Sequence, residues 1–209
     1  MKKKLSKIES LVLPNKRINI FIISILVLGV ITGSIFIHIV DFNDKEMVIN
    51  KITSFITDIN SSNINAIVSL KNSILTNYTY VFMIWILGMT IIGLPFNIFL
   101  VYLKGFVIGF SLSSFIVLYK FKGIILAIIY LLFGQLLNIF VIIVLSIYSI
   151  MFTSKLLKQI FKDRSNSILR FMKKYTLILI ITIIVTLISS LLESFLLPTI
   201  IKLIIKLYI

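Results

Sequence analysis

The sequence predicts an all-α, polytopic integral membrane protein with about five transmembrane helices and a short extracytoplasmic helical segment. Three observations carry this prediction. Apolar residues make up 59% of the 209 and charged residues only 13%, against about 45–50% and about 25% in ordinary soluble domains. Mean hydropathy is +1.14, and the apolar residues gather in runs near the roughly 20 residues a helix needs to cross a bilayer core. The net charge of +14 lies between these runs rather than in one block or stripe, so no nucleic-acid partner is expected, and membrane lipid is. The absence of Cys excludes disulfides, thiolate zinc sites and cysteine nucleophiles.

The whole chain, 1–209, reads as a single membrane domain. The first span is expected over 18–40. Lys2, Lys3, Lys4, Lys7, Lys16 and Arg17 precede it, against Glu9 alone. No small-x-small cleavage site follows, and the apolar run exceeds that of a signal peptide, so an uncleaved signal anchor is expected. Residues 41–77 form the external segment. In it Ile52, Phe55, Ile56, Ile59, Ile64, Ile67 and Val68 recur at helical spacing. Two readings stand side by side: amphipathic helices lying on the membrane surface, or a packed extracellular cap. Spans two and three are expected over 78–99 and 105–119, with Tyr78, Tyr80 and Trp85 as interfacial anchors. Pro95 is expected to break the second span, with a cytoplasmic turn close to Lys104. A turn at Pro95 would instead bury Lys104 in the membrane and mark it as functional. A short turn at Lys120-Phe121-Lys122 leads to span four, 123–152. The basic loop 153–174 leads to span five, 175–197, which Pro198 is expected to stop.

Charge tests the topology. The loop holds Lys155, Lys158, Lys162, Arg164, Arg170, Lys173 and Lys174 against Asp163 alone, whereas 41–77 holds Lys45, Lys51 and Lys71 against Asp41, Asp44, Glu46 and Asp58. An odd number of spans puts both basic segments on one side. The positive-inside rule then places the N-terminus in the cytoplasm and the C-terminus outside.

Chemistry-bearing patterns are few. His38 is the single His and reads as an interfacial polar residue. No His-Glu-x-x-His motif, paired intramembrane acids, nucleophile elbow or phosphate loop is present, so no catalytic residue, metal or cofactor is expected. Small residues four apart, Gly29 with Gly33 and Gly105 with Gly109 and Ser113, form stripes that let helix backbones approach closely. They point to packing within the bundle or to a partner interface, including a possible homo-oligomer. Gly88 and Gly93 join the helix-packing set. Polar residues inside spans must face protein or water. Gln135 and Asn138 lie on the fourth span, and Thr182, Thr186, Ser189 and Glu193 share one face of the fifth. The two polar faces are expected to meet, with Glu193 protonated or paired with Lys104 or Lys202. Together they form either a polar cavity or path, or a set of interhelical hydrogen bonds.

One stretch carries a resemblance. Trp85-Ile86-Leu87-Gly88-Met89-Thr90-Ile91-Ile92-Gly93-Leu94-Pro95 is followed by Tyr102-Leu103-Lys104-Gly105-Phe106-Val107-Ile108-Gly109-Phe110. This resembles the core signature of the stage II sporulation protein M family, W-x-L/F-G-x-x-x-x-G-x-P and then F-L-K-G-x-x-x-G-F. The match is dense over 85–110, and the span layout extends it to about 17–198. The chain departs from the family at Gly134-Gln135-Leu136-Leu137-Asn138, where the family carries a Pro-Gln-Asn-like element. The Pro is missing, and any kink it would make is not carried over. The resemblance implies a non-enzymatic membrane component of forespore engulfment at the sporulation septum, a scaffold that gathers the wall-degrading stage II sporulation proteins D and P. It also implies an alternative from the broader superfamily: a membrane subunit of an export system, such as circular-bacteriocin maturation and export, working with an ATPase.

Overall fold

The computed structural model describes residues 15–61, 65–161 and 167–208. The basic residues Lys2, Lys3, Lys4 and Lys7, together with Ile64, Lys162, Asp163 and Arg164, lie outside the described residues. The order is α1 (Lys16–Ile39), α2 (Phe42–Asn60), α3 (Ala66–Gly88) and α4 (Gly93–Ile129), then a π-helical turn (Tyr130–Gln135) and α5 (Leu136–Phe161). α6 (Ser167–Leu191), a second π turn (Leu192–Leu196) and α7 (Leu197–Tyr208) complete it. Three helical stretches, Lys16–Ile39, Gly93–Ile160 and Leu169–Lys206, are long and apolar enough to cross a membrane. Large apolar side chains such as Ile20, Phe21, Leu28, Ile35, Ile180 and Ile184 face outward along them, as a lipid-facing surface requires.

The closest packing joins α1 to α4. A β-carbon on Gly29 would collide with the Tyr102 carbonyl oxygen and one on Gly33 with that of Phe106. From the other side, a β-carbon on Gly105 would strike the Leu26 carbonyl and one on Gly109 that of Val30. The two small-residue stripes therefore face each other inside one chain, backbone to backbone. Ser34 adds a bond from its Oγ to the Gly109 carbonyl (3.1 Å), and Ser113 is half-buried one turn further on. Contacts advance along both helices together, so α1 and α4 run parallel. α3, which comes between them in the chain, packs on α4 in the opposite direction. α4 reverses at Lys120, whose φ of 50° and ψ of −123° leave the helical region. The chain beyond returns so closely that a β-carbon on Gly123 would overlap the Phe115 carbonyl. Among the described residues, five long helical arms thus alternate in direction.

Four expectations need correction. The second arm does not begin near 78: Asn65 caps α3, accepting from the backbone N–H of Ile67 (3.1 Å) and Val68 (3.3 Å). Residues 66–77 are therefore its first turns rather than part of a surface segment. The turn between the second and third arms is not near Lys104. It falls at 89–92, where Thr90 Oγ1 accepts from the Gly93 N–H (3.0 Å). Pro95 consequently sits in the first turn of α4, where a missing N–H leaves no intrahelical bond unmade, and Lys104 lies mid-helix. The expected loop 153–174 is mostly helix, since α5 extends to Phe161 and α6 starts at Ser167. Finally, Pro198 does not stop the fifth arm. The preceding π turn, closed by the Leu197 N–H on the Leu192 carbonyl, re-spaces the backbone so that α7 continues through the proline.

α2 does not stand apart from the bundle. Its Ile52, Ile56 and Ile59 pack into a cluster with Phe115, Leu126, Leu197 and Ile201, so this helix caps one end of the bundle. A second, larger core, with Ile22, Val101, Leu145, Tyr148 and Tyr175, fills the rest.

The glycine contacts predict a contrast. Gly105→Leu or Gly109→Leu should destabilise the bundle by at least the roughly 1–3 kcal/mol usual for overpacking, because the atoms met are backbone that cannot rotate away. Gly134→Ala should be neutral or stabilising, since a β-carbon there meets only side-chain atoms at 3.5 Å or beyond. Thermal unfolding of the detergent-solubilised variants checks both.

Candidate functional site

Two helix irregularities position the site. Glu193 lies in the π turn Leu192–Leu196, and Gln135 ends the π turn Tyr130–Gln135. A π turn inserts a residue and rotates the side chains beyond it, and such turns recur at functional sites. Here they bring Gln135 Nε2 to Glu193 Oε1 (3.2 Å). The other carboxylate oxygen accepts from two α3 side chains, Ser73 Oγ at 2.6 Å and Asn77 Nδ2 at 3.3 Å. Asn77 also faces Ser190 Oγ at 3.4 Å, and its Oδ1 accepts from Lys104 Nζ at 3.5 Å. Lys104 is 5% exposed, and its ammonium lies 5.3 Å from the centre of the Tyr80 ring. The network joins α3, α4 and both π turns, with one carboxylate and one ammonium bridged by a single amide. A cavity of about 300 Å³ opens beside it, lined by Ser69, Asn72, Thr76, Val107 and Tyr130 together with Ser73, Asn77, Lys104, Gln135 and Glu193.

The polar faces of the fourth and fifth arms therefore do meet, but through part of each. Gln135 and Glu193 pair, Lys104 reaches them through Asn77 rather than directly, and Lys202 is an exposed residue of α7. Asn138 turns back to the Gly134 carbonyl of its own helix (3.3 Å). Thr182 is buried yet bonds within its own helix to the Leu179 carbonyl (2.8 Å). Thr186 and Ser189 are buried on the same face. His38 is exposed near the end of α1. Among the described residues, no group of three or more His, Cys, Asp or Glu converges on a point.

A second polar layer lies at the far end of α3. Helix ends leave carbonyls without intrahelical donors, and those of α3 are met by side chains from α5 and α6. Thr153 Oγ1 donates to the Gly88 carbonyl (2.8 Å) and Tyr175 OH to that of Trp85 (3.1 Å). Asn97, fully buried, donates to Ser149 Oγ and accepts from Ser146 Oγ (3.4 Å). Gly88 is required here because a β-carbon would overlap Ser149 Oγ and Tyr175 OH. Gly93 is required because one would overlap the Leu87 carbonyl.

Sequence reasoning passed over Ser73, Asn77, Asn97, Ser146, Ser149, Thr153 and Tyr175. The argument that singled out Gln135 and Asn138, an amide stranded in an apolar run, applies equally to Asn97. Ser73 and Asn77 were hidden by the misplaced start of the second arm.

A family model described as Stage II sporulation protein M matches residues 20–198, a stretch that contains both polar layers. No curated protein matches the chain, and no solved structure does.

Removing the carboxylate should leave the donors of Ser73 and Gln135 without an acceptor, whereas Asn77 Nδ2 keeps Ser73 Oγ (3.2 Å) and Ser190 Oγ (3.4 Å). Glu193→Ala is expected to cost about 1–3 kcal/mol per buried group left unpaired, and Glu193→Gln, which keeps one acceptor oxygen, distinctly less. Denaturation of the two variants in the same detergent compares them directly.

Proposed function

The chain belongs to the stage II sporulation protein M family, and on that premise we propose that it is a non-enzymatic scaffold of the engulfment machinery. In this role it anchors the wall-degrading stage II sporulation proteins D and P at the septal membrane. Family membership and the apolar helices make it a sporulation-related membrane protein, and the septal role is the finer reading.

The supporting observation is the seating of α2. Its apolar face is fixed to the end of the bundle through Ile56 and Ile59. Asn43, Glu46, Asn50 and Ser54, spaced 3, 4 and 4 apart along the helix, remain exposed. A helix held this way presents a polar stripe in a fixed orientation, which suits recruitment by extracytoplasmic proteins. The orientation follows from the positive-inside rule, which puts α2 outside. The alternative, a membrane subunit of an exporter driven by an ATPase, is favoured by one different observation: the polar cavity beside Glu193 and Lys104.

A variant carrying Asn43→Lys, Glu46→Lys and Asn50→Lys tests the scaffold without disturbing the apolar face. In a strain lacking the native copy, it should reach the membrane at the normal level, yet fail to concentrate fluorescently tagged protein D or P at the septum, and engulfment should stall. Unchanged partner localisation with complete engulfment would sink the docking role of α2.

A further inference from the structure

The cavity between α3, α4 and the two π turns is lined by one acidic and one basic side chain, Glu193 and Lys104, and the lysine has few partners. An ammonium has three donors, and among the described residues Lys104 uses one, at the outer limit of hydrogen-bond length. Across the cavity, Gln135 is 4% exposed and its buried Oε1 accepts no hydrogen bond. Its Nε2 is already committed to Glu193, which fixes the orientation of the amide. The Gln135 Oε1 is closed off from the cavity, so the site offers the spare donors of Lys104 and, beside them, the half-buried Glu193 carboxylate.

The chemistry of the walls selects the guest. A lone cation drawn to Glu193 would be opposed by Lys104, and a lone anion drawn to Lys104 would be opposed by Glu193. A dipolar molecule answers both, with its acidic oxygens on Lys104 Nζ and its ammonium on the Glu193 carboxylate. The volume of about 300 Å³ corresponds to about ten waters at roughly 30 Å³ each, enough for a small amino acid. The rim residues Asn72 and Thr76 are polar and exposed, so the mouth is suited to a guest arriving from water. We propose that this cavity is a binding site for a small zwitterion bearing an ammonium and an acidic group, with Lys104 and Glu193 as its two poles.

Free amino acids and the phosphoethanolamine headgroup of a lipid share this chemistry, and the membrane used in the test separates them. The full chain is reconstituted in phosphatidylglycerol nanodiscs with and without phosphatidylethanolamine. Binding of radiolabelled glycine is measured by equilibrium dialysis, and the shift in unfolding temperature is recorded with glycine, alanine, acetate and methylammonium. Saturable glycine binding is expected, with a thermal shift from both amino acids and none from acetate or methylammonium. Loss of glycine binding only when phosphatidylethanolamine is present would assign the pocket to the lipid headgroup. Lys104→Met and Glu193→Gln should each weaken glycine at least tenfold. Thr76→Trp, at the exposed rim, should block binding while leaving the unfolding temperature of the empty protein unchanged. Absence of saturable glycine binding in phosphatidylglycerol alone, equal shifts from acetate or methylammonium, or undiminished binding by Thr76→Trp would overturn the proposal.

Discussion

A polar group inside a bilayer has no water to turn to and must be satisfied by the chain itself. The interior of this bundle is organised around that constraint. Its tightest expression is the Glu193 carboxylate, which accepts from Ser73, Asn77 and Gln135 and reaches Lys104 through Asn77. These bonds hold the second, third, fourth and fifth arms in one register. Greasy surfaces sliding on lipid-like neighbours could not specify such a register, because apolar contact between helices differs little from contact with lipid tails. The first arm is held by another means, the backbone contact made possible by glycines on both α1 and α4.

The family signature around 85–110 acquires a physical meaning in this setting. Trp85, Gly88 and Gly93 flank the turn that separates the second and third arms. The last carbonyls of α3 are met from α5 and α6, and the glycines leave room for those groups to approach. Pro95 sits where a helix begins, and Lys104, Gly105 and Gly109 follow on the arm it opens. Lys104 turns toward the polar network, while the glycines turn toward α1. One motif thus supplies a turn, a charge and a packing surface. At 134–138, where the proline of the related element is absent, a π turn supplies the local distortion instead.

Much of this was legible in the amino-acid sequence. Small residues at four-residue spacing marked the two surfaces that meet in the α1–α4 contact, because their geometry depends on little beyond the helix itself, but the spacing did not say that they meet each other rather than a partner. The meeting of Gln135 and Glu193 was legible for a similar reason, since buried polar groups in lipid must find one another. Prolines were less so. Pro95 and Pro198 read as breaks, yet one opens a helix and the other follows a π turn, and the meaning of each depends on backbone spacing that composition does not encode. Asn77 and Ser73 escaped notice because α3 extends beyond its apolar stretch. The polar turns of a helix that starts outside an apolar run look the same as an external loop.

Glu193 and Asn77 act as a unit across two helices. A double-mutant cycle measures this most directly, by comparing the unfolding free energies of Asn77→Ala, Glu193→Ala, the double variant and the native chain in one detergent. The account predicts a coupling energy within the range of about 0.5–3 kcal/mol seen for residues that share a network. Strict additivity of the two substitutions would contradict it.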